Sequence, residues 1–229
     1  MKLFLKIFIV LISSQWCFSQ ENNTSVVDSL YREDQFYIGV TYNLLGNKPS
    51  DLSQSGFSTG LHFGFIKDMP LNESRDVAIG IGLGYSMNSF NQNMQINKES
   101  NGSYSYTILD GNTYSKNKFM SHLIELPIEF RWRTSTPTEY RFWRIYTGFK
   151  VGYAIVNTTK FKDDSGSIKH RNISDFNKLE YGFTLSAGYN TWNIYLYYGL
   201  NPVFSNKAVL EGDKINMNAI KVGLMFYIL

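Results

Sequence analysis

Eight stretches of this 229-residue chain place an apolar residue at every second position, with small or polar residues between them. A period of two belongs to a strand, whose side chains alternate faces; an amphipathic helix would repeat near 3.6. Phe36, Ile38, Val40, Tyr42 and Leu44 oppose Tyr37, Gly39, Thr41 and Asn43. Phe57, Leu61, Phe63 and Phe65 oppose Ser58, Gly60, His62 and Gly64, and Val77, Ile79, Ile81, Leu83 and Tyr85 oppose Ala78, Gly80, Gly82 and Gly84. The fourth stretch is the most charged: Ile124, Leu126, Ile128, Phe130 and Trp132 face away from Glu125, Pro127, Glu129, Arg131 and Arg133. Trp143, Ile145, Phe149, Val151, Tyr153 and Ile155 follow, against Arg144, Tyr146, Gly148, Lys150 and Gly152. The sixth and seventh present Tyr181, Phe183, Leu185, Ala187 and Tyr189, then Trp192, Ile194, Leu196, Tyr198 and Leu200; the eighth runs from Ile220 to the end of the sequence.

A soluble sandwich would also alternate, but its second face meets water and carries Lys, Glu and Thr. Here the second face is mostly glycine, serine and tyrosine with a few charges. Glycine weakens a solvent-facing strand, whereas it suits the crowded interior of a small barrel. The apolar face is therefore read as lipid-facing, and a closed barrel is the sheet form a bilayer tolerates. Composition agrees: aromatics make up 16%, there are 18 glycines and only 5 prolines. Mean hydropathy is slightly negative, because apolar residues fill alternate positions only.

The links alternate in length. Residues 67–75 and 134–140 and the turn Asn190-Thr191 are short; residues 88–120, 158–177 and 202–216 are long and polar, with 45–54 intermediate. An eight-stranded antiparallel up-and-down transmembrane β-barrel is predicted over 36–229, with both termini on the periplasmic side. Trp132, Trp143 and Trp192 fall at the short-link ends of their strands, and Tyr42, Tyr85 and Tyr153 at the opposite ends. Amphipathic rings prefer membrane interfaces, so these six are expected to form two girdles.

The two ends of the sequence fit an exported protein. The final strand carries Lys221, Gly223, Phe226 and Ile228 in the spacing of a C-terminal signal for barrel assembly machinery. Residues 1–19 read as a cleavable signal peptide, with Lys2 and Lys6 before an apolar stretch too short to span a bilayer. A lipoprotein reading of Cys17 is weakened by bulky Trp16. Residues 20–35 read as a polar, flexible periplasmic lead. Cys17 is the single cysteine, so a mature chain offers neither disulfide nor thiolate chemistry. The formal charge of +3 includes both signal lysines and gives no reason to expect nucleic acid as a partner.

Glu125, Glu129, Arg131, Arg133, Arg144 and Lys150 point inward from adjacent strands. They invite two readings, an ion path or a compensated charge network filling the lumen; the second follows from the cost of buried charge and is preferred. His62 points inward, His122 lies at lipid parity, and His170 sits near Asp163 and Asp164 in a long link. A hydrolase built on that acid–histidine pair is conceivable, but no nucleophile or metal-ligand spacing accompanies it. No enzyme activity, cofactor or metal is expected.

The segment Glu125-Leu126-Pro127-Ile128-Glu129-Phe130-Arg131-Trp132-Arg133-Thr134-Ser135 and the following Phe142-Trp143-Arg144-Ile145-Tyr146-Thr147-Gly148-Phe149-Lys150 resemble the PorT-type barrels of the Bacteroidota. So do Asp34-Gln35-Phe36-Tyr37-Ile38-Gly39-Val40, Gly188-Tyr189-Asn190-Thr191-Trp192-Asn193 and the final Gly223-Leu224-Met225-Phe226-Tyr227-Ile228-Leu229. The resemblance implies an outer-membrane component of the type IX secretion system, which exports proteins and supports gliding motility. It implies outer-membrane lipid, the barrel assembly machinery and other type IX secretion subunits as partners, and it carries no catalytic residue. A general anchoring or adhesive surface barrel is the alternative.

Overall fold

The computed structural model describes residues 32–110, 113–136 and 141–228. The signal peptide, Cys17 and Leu229 lie outside these. In chain order the strands are β1 (Gln35–Gly46), β2 (Thr59–Pro70), β3 (Val77–Asn91), β4 (Met94–Lys98), β5 (Tyr104–Ile108), β6 (Lys116–Arg133), β7 (Trp143–Asp163), β8 (Gly166–Arg171), β9 (Leu179–Tyr189), β10 (Trp192–Pro202), β11 (Val209–Leu210), β12 (Asp213–Lys214) and β13 (Asn218–Ile228). Eight of them, β1, β2, β3, β6, β7, β9, β10 and β13, pair each with the next, antiparallel throughout. Pairing of β1 with β13, from Phe36 opposite Ile228 to Gly46 opposite Asn218, closes the ring. The expected eight-stranded up-and-down barrel is thus the observed fold.

Parity along these strands follows the sequence pattern. Phe36, Ile38 and Val40 are exposed while Tyr37, Thr41 and Asn43 are buried, and Ile194 is 67% exposed beside buried Asn193 and Tyr195. The outward apolar residues form a continuous wall far larger than the patches a monomer exposes to water, so its medium is lipid. Inside, glycines make room for rings. A Cβ on Gly84 would land on the Tyr37 hydroxyl, and one on Gly182 would press on the Tyr197 ring. At the closing seam a Cβ on Gly223 would strike the backbone of Val40 and Thr41, so β1 and β13 can approach only with glycine there.

Several strands run further than their apolar alternation suggests. Residues 67–70 continue β2 rather than starting a link, and they carry Asp68 into the interior. Residues 88–120 are not one loop: β3 continues to Asn91, β4 and β5 make a hairpin, and β6 already begins at Lys116. Likewise β7 runs to Asp163 and returns as β8, so 158–177 is mostly a paired ribbon. The link 202–216 holds the short β11–β12 pair.

One end of the barrel has tight links, such as the two-residue Asn190–Thr191 turn, where Asn190 takes a left-handed φ of 56°. At the other end the long connections fold into a cap with its own core. Phe119 is fully buried there, with ring centroids 4.9 Å from Phe90, 5.4 Å from Phe176 and 5.5 Å from Phe204. Met94, Ile96, Ile173, Ile215 and Met217 pack into the same cluster. Each buried ring of this kind contributes about 1.5–3 kcal/mol. The Tyr106 hydroxyl donates to an Asp175 carboxylate oxygen at 2.9 Å and ties the β4–β5 hairpin to the cap.

Candidate functional site

The charged residues that the alternation sends inward meet in the lumen, arranged in two groups. Near the tight-turn end, Asp68 from β2 accepts from Arg131 Nη1 at 3.0 Å and from Arg133 Nη1 and Nη2, both at 2.8 Å. The second contact is the bidentate fork–carboxylate geometry that favours arginine. Arg131 also reaches Glu129 at 3.1 Å, and Glu33 stands 4.0 Å from Arg133. The side chains of Arg131, Arg133 and Asp68 have no solvent exposure. Arg144, from β7, lies opposite Arg133 in the ladder, so two like charges face each other. It is held by rings instead of a carboxylate: its guanidinium lies 4.4 Å from the Phe142 centroid and 5.6 Å from that of Tyr227.

The second group sits deeper. Lys150 Nζ donates to Glu125 Oε2 at 3.0 Å, and Ser86 Oγ donates to Glu125 Oε1 at 2.7 Å. Lys150 also lies 5.1 Å from the Tyr195 ring centroid. His62 Nε2 is 3.1 Å from Thr41 Oγ1, and Nδ1 is 3.7 Å from Glu125. The Thr41 hydroxyl also lies 2.8 Å from Asn43 Oδ1, which accepts from it. Lys221 is buried with its ammonium 4.6 Å from the Tyr197 ring.

Among the described residues the buried charges of the lumen are Glu33, Asp68, Glu125, Glu129 and Glu180 against Arg131, Arg133, Arg144, Lys150 and Lys221. Five carboxylates meet five cations, the balance expected of a lumen that must compensate its charge. All six residues expected to point into the interior do so. Three carboxylates escaped the sequence reading: Asp68, hidden by the early end assigned to β2; Glu180; and Glu33, which falls in the segment expected to be flexible. Glu33 is buried, and Asp34 Oδ1 accepts from the Asp68 backbone N–H at 2.7 Å, so the end of the lead is tied into the barrel mouth.

The other expected positions separate by face. Lys221 and Gly223 point inward, while Ile228 points outward and Phe226 packs its ring 4.8 Å from Trp192. Trp132, Trp143 and Trp192 are outward-facing at the tight-turn end, with the Trp143 ring 5.3 Å from that of Tyr189 and tilted to it by 55°. Tyr42 and Tyr153 are exposed toward the other end, and the Tyr85 hydroxyl lies 2.6 Å from His122 Nδ1. His170 and Asp163 are not brought together. His170 sits on β8 opposite Thr159, edge-on to Tyr104, whereas Asp163 accepts from the Ser165 and Gly166 backbone at 2.9 Å. Those bonds, that from the Ser165 hydroxyl foremost, hold the Asp163 carboxyl below its ordinary range. Among the described residues no cluster of His, Cys, Asp and Glu has the make-up of a metal site.

No curated protein sequence matches the chain. Among solved structures, that of Ail, the attachment invasion locus protein of Yersinia pestis, in complex with the heparin analogue sucrose octasulfate, is similar over 87% of this chain and all of its own, at 13% identity and a TM-score of 0.37. A triple mutant of the Rhodopseudomonas blastica porin aligns over 86% of this chain and 99% of its own, at 8% identity and a TM-score of 0.18. The family model described as outer membrane protein beta-barrel domain matches residues 18–205, which take in seven of the eight barrel strands. With that match and a closed barrel whose wall suits lipid, this chain belongs to the outer membrane protein β-barrel domain family and is an outer-membrane barrel.

Proposed function

We propose that this barrel is a non-enzymatic, non-conducting structural component of the type IX secretion machinery, assembling with or stabilising a larger translocon. The occupied lumen is the observation that carries the structural role. The interior is filled by Arg131, Arg133, Tyr146, Tyr195 and Lys221, with the aromatic cap over one mouth and the Asp68–Arg133 group across the other. A barrel filled in this way passes neither cargo nor ions, so its work lies on its outer wall and its loops. The pathway rests on the resemblance of the segments around Glu125 to Ser135 and Phe142 to Lys150 to PorT-type barrels. Both termini are assigned to the periplasm, which puts the cap at the cell surface.

The experiment is a clean gene deletion with quantitative proteomics of the culture medium, paired with planar-bilayer recording of the purified protein. Selective loss of secreted proteins that carry type IX sorting domains, restored by complementation, is the expected result, together with no stepwise conductance. An unchanged secretome removes the secretion role and leaves an anchoring or adhesive barrel. Steady conductance removes the structural reading of the lumen.

A further inference from the structure

Above the lipid-facing wall, β6, β7 and β8 continue as a three-stranded ribbon with an uneven distribution of charge. Lys116 stands opposite Lys162, Lys118 opposite Lys160, and Lys160 opposite Lys169; Arg171 lies opposite Thr158. Register puts all six cations on one face. The β6–β7 register shifts by one residue beside His122, so Val156 and the even positions beyond it in β7 share the outward face of His122, Met120, Lys118 and Lys116.

The remaining positions of that face are Met120, His122, Val156, Thr158 and Ser167, so no carboxylate shares it. Among the described residues none of the six cations makes an ion pair, and Lys116, Lys162, Lys169 and Arg171 are exposed. Like charges directly opposite one another destabilise a ladder. Lys118 lies beyond the membrane wall, and burial together with the charges of Lys116 and Lys160 lowers its ammonium pKa from the ordinary value. The opposite face is occupied, with Asn117, Phe119 and Thr159 buried against the cap. A local arrangement that costs stability without an internal partner marks a surface built for an external one.

Position supplies the identity of that partner. The ladder from β7 to β9 ends at Tyr153 opposite Leu179, and that from β7 to β8 starts at Thr158 opposite Arg171. Between them a cavity of about 520 Å³ opens in the wall, lined by Tyr153, Ile155, Asn157, Asn172, Phe176 and Lys178 among others. Tyr153 and Ile155 are exposed members of the lipid-facing wall. The cations therefore begin where the apolar wall stops, with Arg171 opposite Thr158, and climb from the height of the headgroups to Lys116 and Lys162 beside the Asp163–Gly166 turn. We infer that this face and the cavity beneath it bind the phosphorylated headgroups of anionic lipid in the leaflet around the cap. Phosphate neutralises the facing lysines, and the cavity takes the part of the lipid next to the headgroup.

The test is amide hydrogen exchange of the purified protein in phosphatidylcholine nanodiscs, with and without bis-phosphorylated lipid A. Each cation near an anionic surface contributes about 1 kcal/mol, so four of them change affinity by roughly a hundredfold to a thousandfold at low salt. Lipid A is expected to slow exchange across 116–122 and 156–171, and added salt to weaken the effect. K118Q/K160Q/K169Q/R171Q should lose the protection while keeping the heat-modifiable gel mobility of a folded barrel. K169Q/R171Q, confined to the edge strand, should lose about half of it and serves where the quadruple variant does not fold. Absence of protection in the wild type, or undiminished protection in either folded variant, overturns the assignment. Equal protection by soluble heparin or inorganic phosphate in lipid-free micelles also overturns it, and makes the face a receptor for a soluble polyanion.

Discussion

Replacing Asp68 by alanine removes the acceptor shared by two arginines with no exposure to solvent. Three charged hydrogen bonds of 2.8–3.0 Å vanish at once. Breaking a buried ion pair by deleting one partner costs about 3–5 kcal/mol, because the other charge is left uncompensated. Both guanidiniums keep part of their surroundings: Arg131 retains Glu129 at 3.1 Å, and Arg133 retains the Arg75 carbonyl at 3.0 Å and Glu33 at 4.0 Å. The expected loss is therefore at the lower end, about 3 kcal/mol, or more than a hundredfold in the folding equilibrium. Reversible urea unfolding in vesicles measures it, with fluorescence of Trp132, Trp143 and Trp192 at the same end of the barrel as the reporter. The variant should lower the midpoint without changing the slope. Asp68→Leu combined with Arg133→Met should recover most of the loss, since it removes the bidentate pair as a unit while Arg131 keeps Glu129 at 3.1 Å. A loss below about 1 kcal/mol in D68A would refute the reasoning, because it would mean that water already solvates both arginines.

Three further outcomes can be measured directly. Phe119→Ala should cost about 3–5 kcal/mol of cap stability and speed amide exchange across the cap core while leaving the barrel amides slow. Burial, then the hydrogen bond to Asp175, raises the Tyr106 phenol pKa above its ordinary value. Below the unfolded pKa near 10 the stabilisation by this protonated group is fully present, and it is lost as pH rises past that value toward the folded pKa. Cap exchange should thus accelerate above about pH 10 in the parent, and Tyr106→Phe should flatten that dependence. Gly223→Val should abolish the folded band in heat-modifiable electrophoresis, since the added carbons meet backbone atoms of Val40 and Thr41 across the closing seam; normal folding would show that the seam can open to admit them.

The barrel was legible because lipid outside and a crowded interior impose opposite chemistries on alternate residues, and that contrast persists through each crossing. It fails where the contrast fades. In β2, Ile66 points inward and Lys67 outward, reversing the rule after Phe65, so the apolar marker stops before Asp68 although the strand runs on to Pro70. In β6 the outward positions above Ile124 are His122, Met120, Lys118 and Lys116, because they have left the bilayer; pairing continues while its apolar marker is gone. The lumen cations were visible on strands, but of their five carboxylate partners only Glu125 and Glu129 were. The cap was not: Phe90, Phe119, Phe176 and Phe204 stand singly in polar sequence, and only tertiary folding brings them together.

The register shift in β7 makes the chain readable in two frames. Before it, even-numbered side chains belong to the lumen; after it, they belong to the outside. Ile155 is the surplus residue of that shift, between Ala154 opposite Leu123 and Val156 opposite His122, so deleting it would leave Lys160 and Lys162 outward, whereas deleting Asn157 would turn them toward the aromatic cap and Phe161 toward water. Relatives of this chain can therefore vary freely in the length of the β7–β8 tip, where Asp163 to Gly166 form a turn, and can lose the surplus residue at Ile155, but a single deletion between Val156 and Lys162 has to be matched by a second change in length. Tolerance to insertion is set here by counting parity, and solvent exposure of the altered residue is no guide to it.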